Sequence, residues 1–261
     1  MTRYAAGVEY VGTGFSGWQA LPGLNTVQQT LEDALSSIAD HPISVVGSGR
    51  TDAGVHALQQ VIHFDSGADR SVYAWQMGAN SRLPPQIKLR WLQPVADHFH
   101  ARYAALRRHY RYLIYNSRAR SALLAQRCCW FFHLLDALAM HQAAQALIGE
   151  HDFSAFRDSQ CQSRTPMRNI EAISVQRHGD WLAVDVIGNA FLHHMVRNIV
   201  GTLLLVGQGK QPQAWVAEVL AGRDRTRAGM TAPADGLYLL GAQYAPEFGL
   251  PPVPSLIFPP I

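Results

Sequence analysis

The segment Gly47-Ser-Gly-Arg-Thr-Asp-Ala-Gly54 concentrates more chemical potential than any other in the chain. Three glycines surround Arg50, Thr51 and Asp52, and glycine lets a backbone approach a ligand closely. Arg50, two residues from Asp52, can pair with the carboxylate and keep it ionised. His56 follows four residues after Asp52, so three side chains capable of chemistry share one short loop. The competing reading is an Asx-turn, in which Asp52 only ties down the loop backbone. A phosphate-binding P-loop is excluded, because no Gly-Lys-Ser/Thr follows. A second glycine-rich segment, Gly12-Thr-Gly14-Phe-Ser-Gly17, matches G-x-G-x-x-G, with Glu32 20 residues beyond Gly12. Its context defeats the dinucleotide reading. The third glycine should open a helix directly, whereas Trp18, Pro22 and Gly23 delay the helix to about Thr26.

These loops need elements to hold them. Arg3 to Val11 reads as a first strand, and Ile43 to Val46 and Val61 to Phe64 as short strands. Thr26-Val-Gln-Gln29 has the T-x-x-Q form of a capping box, and Val27, Leu31, Ala34, Leu35 and Ile38 recur at helical spacing. Tyr110 to Tyr115 is strand-like, and Asp136 should cap a helix reaching Ile148 and stopping at Gly149. Ile173–Gln176 and Trp181–Val186 read as a hairpin around His178-Gly-Asp180. Helices are expected from about Phe191 to Val206 and from Pro212 to Leu220, the second closed by Gly222, with a late strand at Leu237–Tyr244. Two mixed halves joined near residue 105 suggest an α+β protein of two domains, 1–105 and 106–250. Residues 251–261 form a proline-rich tail expected to be extended.

The 261 residues are 48% apolar and 16% charged, the composition of a packed globular protein. The longest apolar run, Ile199 to Val206, is interrupted by Gly201 and Thr202 and is too short to span a bilayer. Met1-Thr-Arg-Tyr4 leads into a strand pattern without a leader-like apolar stretch, so a cytoplasmic location is expected. Cys128, Cys129 and Cys161 fit neither a disulfide framework nor a zinc site. His193-His194 is the only adjacent histidine pair, and on a helix such neighbours diverge. No metal is therefore expected. Net charge is +3, and of 22 basic residues only Lys88 and Lys210 are lysine. Between Asp97 and Asp136 no acidic residue occurs, while Arg102, Arg107, Arg108, Arg111, Arg118, Arg120 and Arg127 alternate with four tyrosines. A basic strip interleaved with aromatics is the pattern of a protein that binds nucleic-acid phosphates and stacks bases.

Gly49-Arg-Thr-Asp-Ala-Gly-Val-His-Ala57 resembles the signature of the tRNA pseudouridine synthase A family. So do Tyr10 to Gln19, Thr26 to Glu32, Phe99-His-Ala-Arg102, Arg108-His-Tyr-Arg-Tyr112, Cys161 to Thr165, Phe191 to Asn198 and Gly236 to Leu239, in order along nearly the whole chain. Val11 stands where the family usually has an acidic residue. The resemblance implies isomerisation of uridines in the tRNA anticodon stem-loop to pseudouridine, with Asp52 as nucleophile and no cofactor. Arg50 would pair with Asp52 and help extrude the nucleotide, and Tyr110 would stack on the uracil. Leu237 would form an apolar wall, and Arg197 and Arg164 would contact phosphates. It further implies two similar α+β domains with largely antiparallel sheets, joined side by side around a basic cleft, and a homodimer. Two rivals remain: a non-catalytic RNA-binding relative, which would lack Asp52 or Tyr110, and a synthase acting on other RNAs.

Overall fold

The computed structural model describes residues 1–255; the end of the proline-rich tail, 256–261, lies outside the described residues. The chain forms two compact units, Met1–Leu106 with the segment from Leu239 onward, and Arg107–Tyr238.

In the first unit the elements are β1 (Thr2–Tyr10), α1 (Val27–Ala39), β2 (Val46–Gly47), β3 (His56–Ser66), α2 (Val72–Arg82) and β4 (Ile87–Pro94). β1 is central and pairs antiparallel with β3 on one side and β4 on the other; β2 adds to β3. Successive residues Tyr4 to Val8 are all buried, which requires cover on both faces of the strand. Tyr4 and Phe64 stack on one face and meet Trp75 of α2. On the other face Ala5 and Val61 pack with Phe99, Ala101, Ala242 and Tyr244.

Thr26 caps α1 through its hydroxyl, which accepts from the Gln29 N–H at 3.4 Å. Only half of the expected capping box forms, because the Gln29 amide donates forward to Asp33 at 2.9 Å. Ile43–Val45 is not a strand. Its backbone N–H groups are taken by α1 side chains, Ile43 by the Ser36 hydroxyl at 2.8 Å and Val45 by the Glu32 carboxylate at 2.9 Å.

The second unit contains β5 (Arg107–Asn116), β6 (Cys129–Phe131), α3 (Ala137–Ala144), β7 (Gly149–Asp152), β8 (Met167–His178), β9 (Trp181–Gly188), α4 (Met195–Gly207) and α5 (Trp215–Gly222). β10 (Leu237–Gln243) begins there and ends in the first unit. The strands run β5-β9-β8-β7 with antiparallel pairing throughout, and β6 joins β5 in parallel. The expected hairpin turns at Gly179-Asp180, between His178 and Trp181. Asp136 caps α3 by accepting from the Ala139 N–H at 2.9 Å. α4 is buried almost all round and forms the core of this unit. It starts at Met195 and not near Phe191, because His194 adopts the left-handed conformation (φ 60°). α5 likewise ends on left-handed Arg223 (φ 51°), one residue beyond the expected Gly222. The α+β class and its largely antiparallel pairing are as expected.

Candidate active site

Asp52 sits half-buried, and Arg50 exposed, on the loop between β2 and β3. The loop is clamped from several directions. The Thr51 hydroxyl is 2.7 Å from the buried Tyr10 hydroxyl, and the Thr51 carbonyl accepts from the Trp18 N–H at 3.0 Å. On the Gly49 side, the wholly buried Gln60 amide donates to the Gly49 carbonyl at 2.7 Å, while its oxygen accepts from the Ser48 hydroxyl at 2.5 Å. A turn closed by the Val55 N–H on the Asp52 carbonyl, 3.1 Å, completes the frame. Tyr10 and Trp18 stack at 5.9 Å behind it.

The glycines of the first motif serve this frame. A Cβ on Gly12 would collide with the Val55 carbonyl, and one on Gly17 would lie 2.9 Å from the Thr51 oxygen, where the backbone also has φ 93°. G-x-G-x-x-G here lets one backbone lie against the Asp52 loop. His56, expected among the chemical groups, is instead 1% exposed, and its Nδ1 accepts from the Gly12 N–H at 3.1 Å. It is a brace between the two loops.

The other sequence-derived candidates lie in the second unit. Tyr110, on β5 opposite Val186, is 8% exposed and meets Phe191 edge-on at 5.1 Å. Two residues on, Tyr112 is wholly buried; its hydroxyl donates to the Pro233 carbonyl at 2.8 Å, and burial holds its phenol well above the ordinary range. Tyr112 is the core tyrosine and Tyr110 the one nearer the surface. Leu237 is buried at the start of β10. Arg197 on α4 donates through Nε to the Ala232 carbonyl at 2.8 Å, and Arg164 is exposed.

The basic strip is less uniform than its sequence. Arg111 grips the Asp185 carboxylate with two bonds of 2.8 and 2.9 Å, and His109 reaches the same group at 3.0 Å. Burial alone would raise the Asp185 carboxyl, but the hydrogen bonds from His109 and Arg111 hold it below the usual range. Arg107 pairs with Glu171 at 2.9 Å, and Arg108 donates to the Asn189 carbonyl at 2.6 Å. Arg118 and Arg120 are exposed, the latter over the Trp130 ring at 4.5 Å. His193 and His194 precede α4 and do not diverge: they stack at 3.9 Å and share Asp158 at 3.4 and 2.8 Å. Cys128 and Cys129 are buried, which pushes their thiols up to about 12 and about 11.

Residues 6–104 and 143–245, spanning both the Asp52 frame and the Tyr110 partner Phe191, match the family model for tRNA pseudouridine synthase. The tRNA pseudouridine synthase A of Aeromonas hydrophila is 54% identical over 252 residues, covering 97% of this chain and 94% of that protein. The Xanthomonas campestris protein of the same name is 56% identical over 251 residues, covering 95% and 98%. The chain belongs to the tRNA pseudouridine synthase family. In this family member the loop carrying Asp52 is fixed by groups that sequence spacing did not reveal. Tyr10, Trp18, Ser48 and Gln60 look like ordinary strand and loop residues. Their roles come from pairings such as Tyr10 with Thr51, 41 residues apart. Among the described residues no helix is long and apolar enough to cross a membrane.

Proposed function

We propose that the chain isomerises uridines of the tRNA anticodon stem-loop to pseudouridine, with Asp52 as nucleophile. The observation that carries this reading is the frame around Asp52. A half-buried carboxylate stands on a turn held through its backbone by Trp18 and Gln60 and through the Thr51 hydroxyl by Tyr10, within a chain of this family. The reaction must break N1–C1′, turn the uracil over and form C5–C1′. The carboxylate bonds to one fragment, on the sugar or on the ring, during the turn, and that bond is broken again at the end. The hydrogen on C5 leaves as a proton and N1, freed from the sugar, takes one up from solvent, so atoms and electrons balance and no cofactor is consumed.

Arg50 pairs with Asp52 and assists extrusion of the nucleotide from its stack. Tyr110 stacks on the uracil, Leu237 walls the pocket, and Arg197 and Arg164 contact phosphates. The chain acts as a cytoplasmic homodimer. Folded tRNA carrying tritium at uridine C5 is the direct test: label should pass to water in step with pseudouridine formation. Retention of label alongside tight tRNA binding would favour a non-catalytic RNA-binding role. Release only from other RNAs would move the substrate and keep the chemistry.

A further inference from the structure

After β4 the chain makes a turn whose residues alternate between core and solvent. Phe99 and Ala101 are wholly buried against Ala5 and Val61. His100 is half-buried, Arg102 and Tyr103 stay outside, and Tyr103 is 77% exposed. An exposed tyrosine normally samples several rotamers, yet this ring has a support. The His100 imidazole lies 4.3 Å from it with the planes 30° apart, and the His63 ring lies 4.7 Å from that of His100.

The support is itself fixed. His100 Nδ1 accepts from the backbone N–H groups of Arg102 and Tyr103, each at 3.2 Å. His63 Nδ1 accepts from the Ala101 N–H at 3.1 Å, in the buried layer. The Arg102 guanidinium is 5.7 Å from the centre of the Tyr103 ring. Burial, then Arg3 (itself paired with Asp65) and Arg102, hold the His100 imidazole below its ordinary value. A tyrosine kept for core packing would bury its ring. This one is presented to solvent on a pre-ordered stack of rings beside a cation.

We propose that Tyr103, carried on His100 and flanked by Arg102, is a stacking platform for an unpaired nucleobase of bound tRNA. It is a positioning residue, since nothing places it on the reacting atoms, and the proposal rests on tRNA being the substrate. Base–aromatic stacking is sequence-tolerant, because every base has a π-face.

The test compares Tyr103→Ser and Tyr103→Phe in tRNA titrations over a range of salt and in steady-state tritium release. Tyr103→Ser should raise both Kd and KM for tRNA by roughly 5- to 150-fold, the loss of about one stacked base. It should leave kcat within about twofold and the slope of log Kd against log salt unchanged, since no phosphate contact is lost. Tyr103→Phe should stay within about twofold of wild type throughout. Ultraviolet cross-linking of the wild-type complex should attach a nucleotide to the peptide carrying Tyr103. Wild-type Kd and KM in Tyr103→Ser, with normal turnover, would overturn the platform while leaving the proposed activity standing. A flattened salt slope in that variant would also overturn it, in favour of a charge effect. Wild-type enzyme that binds tRNA but releases no tritium would refute the activity, and Kd alone would then decide the platform.

Discussion

At the residue scale, Gly12 and Gly17 act through the Cβ they lack, since one at either position would press on the loop that carries Asp52. Gly12-x-Gly14-x-x-Gly17 has the spacing of a nucleotide-binding turn, and the sequence context already argued against that use. The positive role emerges only in three dimensions, where Gly12 and Gly17 let their loop lie against Thr51 and Val55. Gly12→Ala should therefore cost about 1–3 kcal/mol of stability through forced overlap, and lower turnover further than that loss explains. Chemical unfolding alongside tritium release measures both; a variant with wild-type stability and rate would show that the close approach is dispensable. Asp52 and Arg50 were legible because glycines and charges crowd a short segment. His56 reads along the chain as a chemical group, because spacing does not tell the side that faces Gly12 from the side that faces solvent.

Among the elements, those with a strong local signal were readable: α1 from its cap and apolar stripe, the β8–β9 hairpin from its turn, and α3 from Asp136. α2 was not. It buries only Trp75 and Ala79, and a glycine at position 78 lies mid-helix, where Ile38 of α1 packs over it. β4 was hidden by a register shift in its pairing with β1 between Gly7 and Val8, which breaks the alternation of its apolar residues. Buried His63 on β3 was likewise invisible to periodicity. Burial, then the neighbouring His100 and Arg3, lower its imidazole to about 4. The unfolded chain then binds the proton at about 6.5 and the folded chain only near 4, so stability rises with pH across that window. Acidification from about 6.5 to 4 should remove about 2–3 kcal/mol through this group. Asp185, with its carboxyl depressed, adds a further loss only as pH falls below that range. His63→Gln should flatten the pH dependence of urea midpoints in the upper window and leave the lower one; an unchanged profile would remove His63 as its cause.

For the whole molecule, the arginine strip sorts into two classes that sequence could not separate. Arg107 and Arg111 are paired by Glu171 and Asp185, acids 64 and 74 residues away that β8 and β9 bring alongside. An acid-free stretch of chain is therefore not an acid-free surface. Arg118 and Arg120 of the strip, and Arg164 outside it, are exposed and suit phosphates better. Replacing these three by glutamine should flatten the salt dependence of tRNA binding by up to roughly 0.7–0.9 in log–log slope per lost contact. Arg111→Gln should instead leave the slope unchanged and cost about 1.5–3 kcal/mol of folding stability, by stripping Asp185 of its charged hydrogen bonds. The opposite assignment of the two effects would show that the paired arginines face the RNA.

In the proposed reaction the Asp52 carboxylate forms the covalent bond that holds a fragment while the base turns. Asp52→Asn keeps the size and most hydrogen bonding of the side chain but not its nucleophilic charge. The measurement is tritium release from C5-labelled tRNA by this variant, purified free of wild-type enzyme and of reversion to aspartate, with tRNA affinity determined on the same sample. Binding should remain within about tenfold of wild type, because its energy is spread over many phosphates, while release falls to background. Near-normal release from a tRNA-binding Asp52→Asn enzyme would rule out Asp52 as the nucleophile and reduce it to a residue that ties its loop.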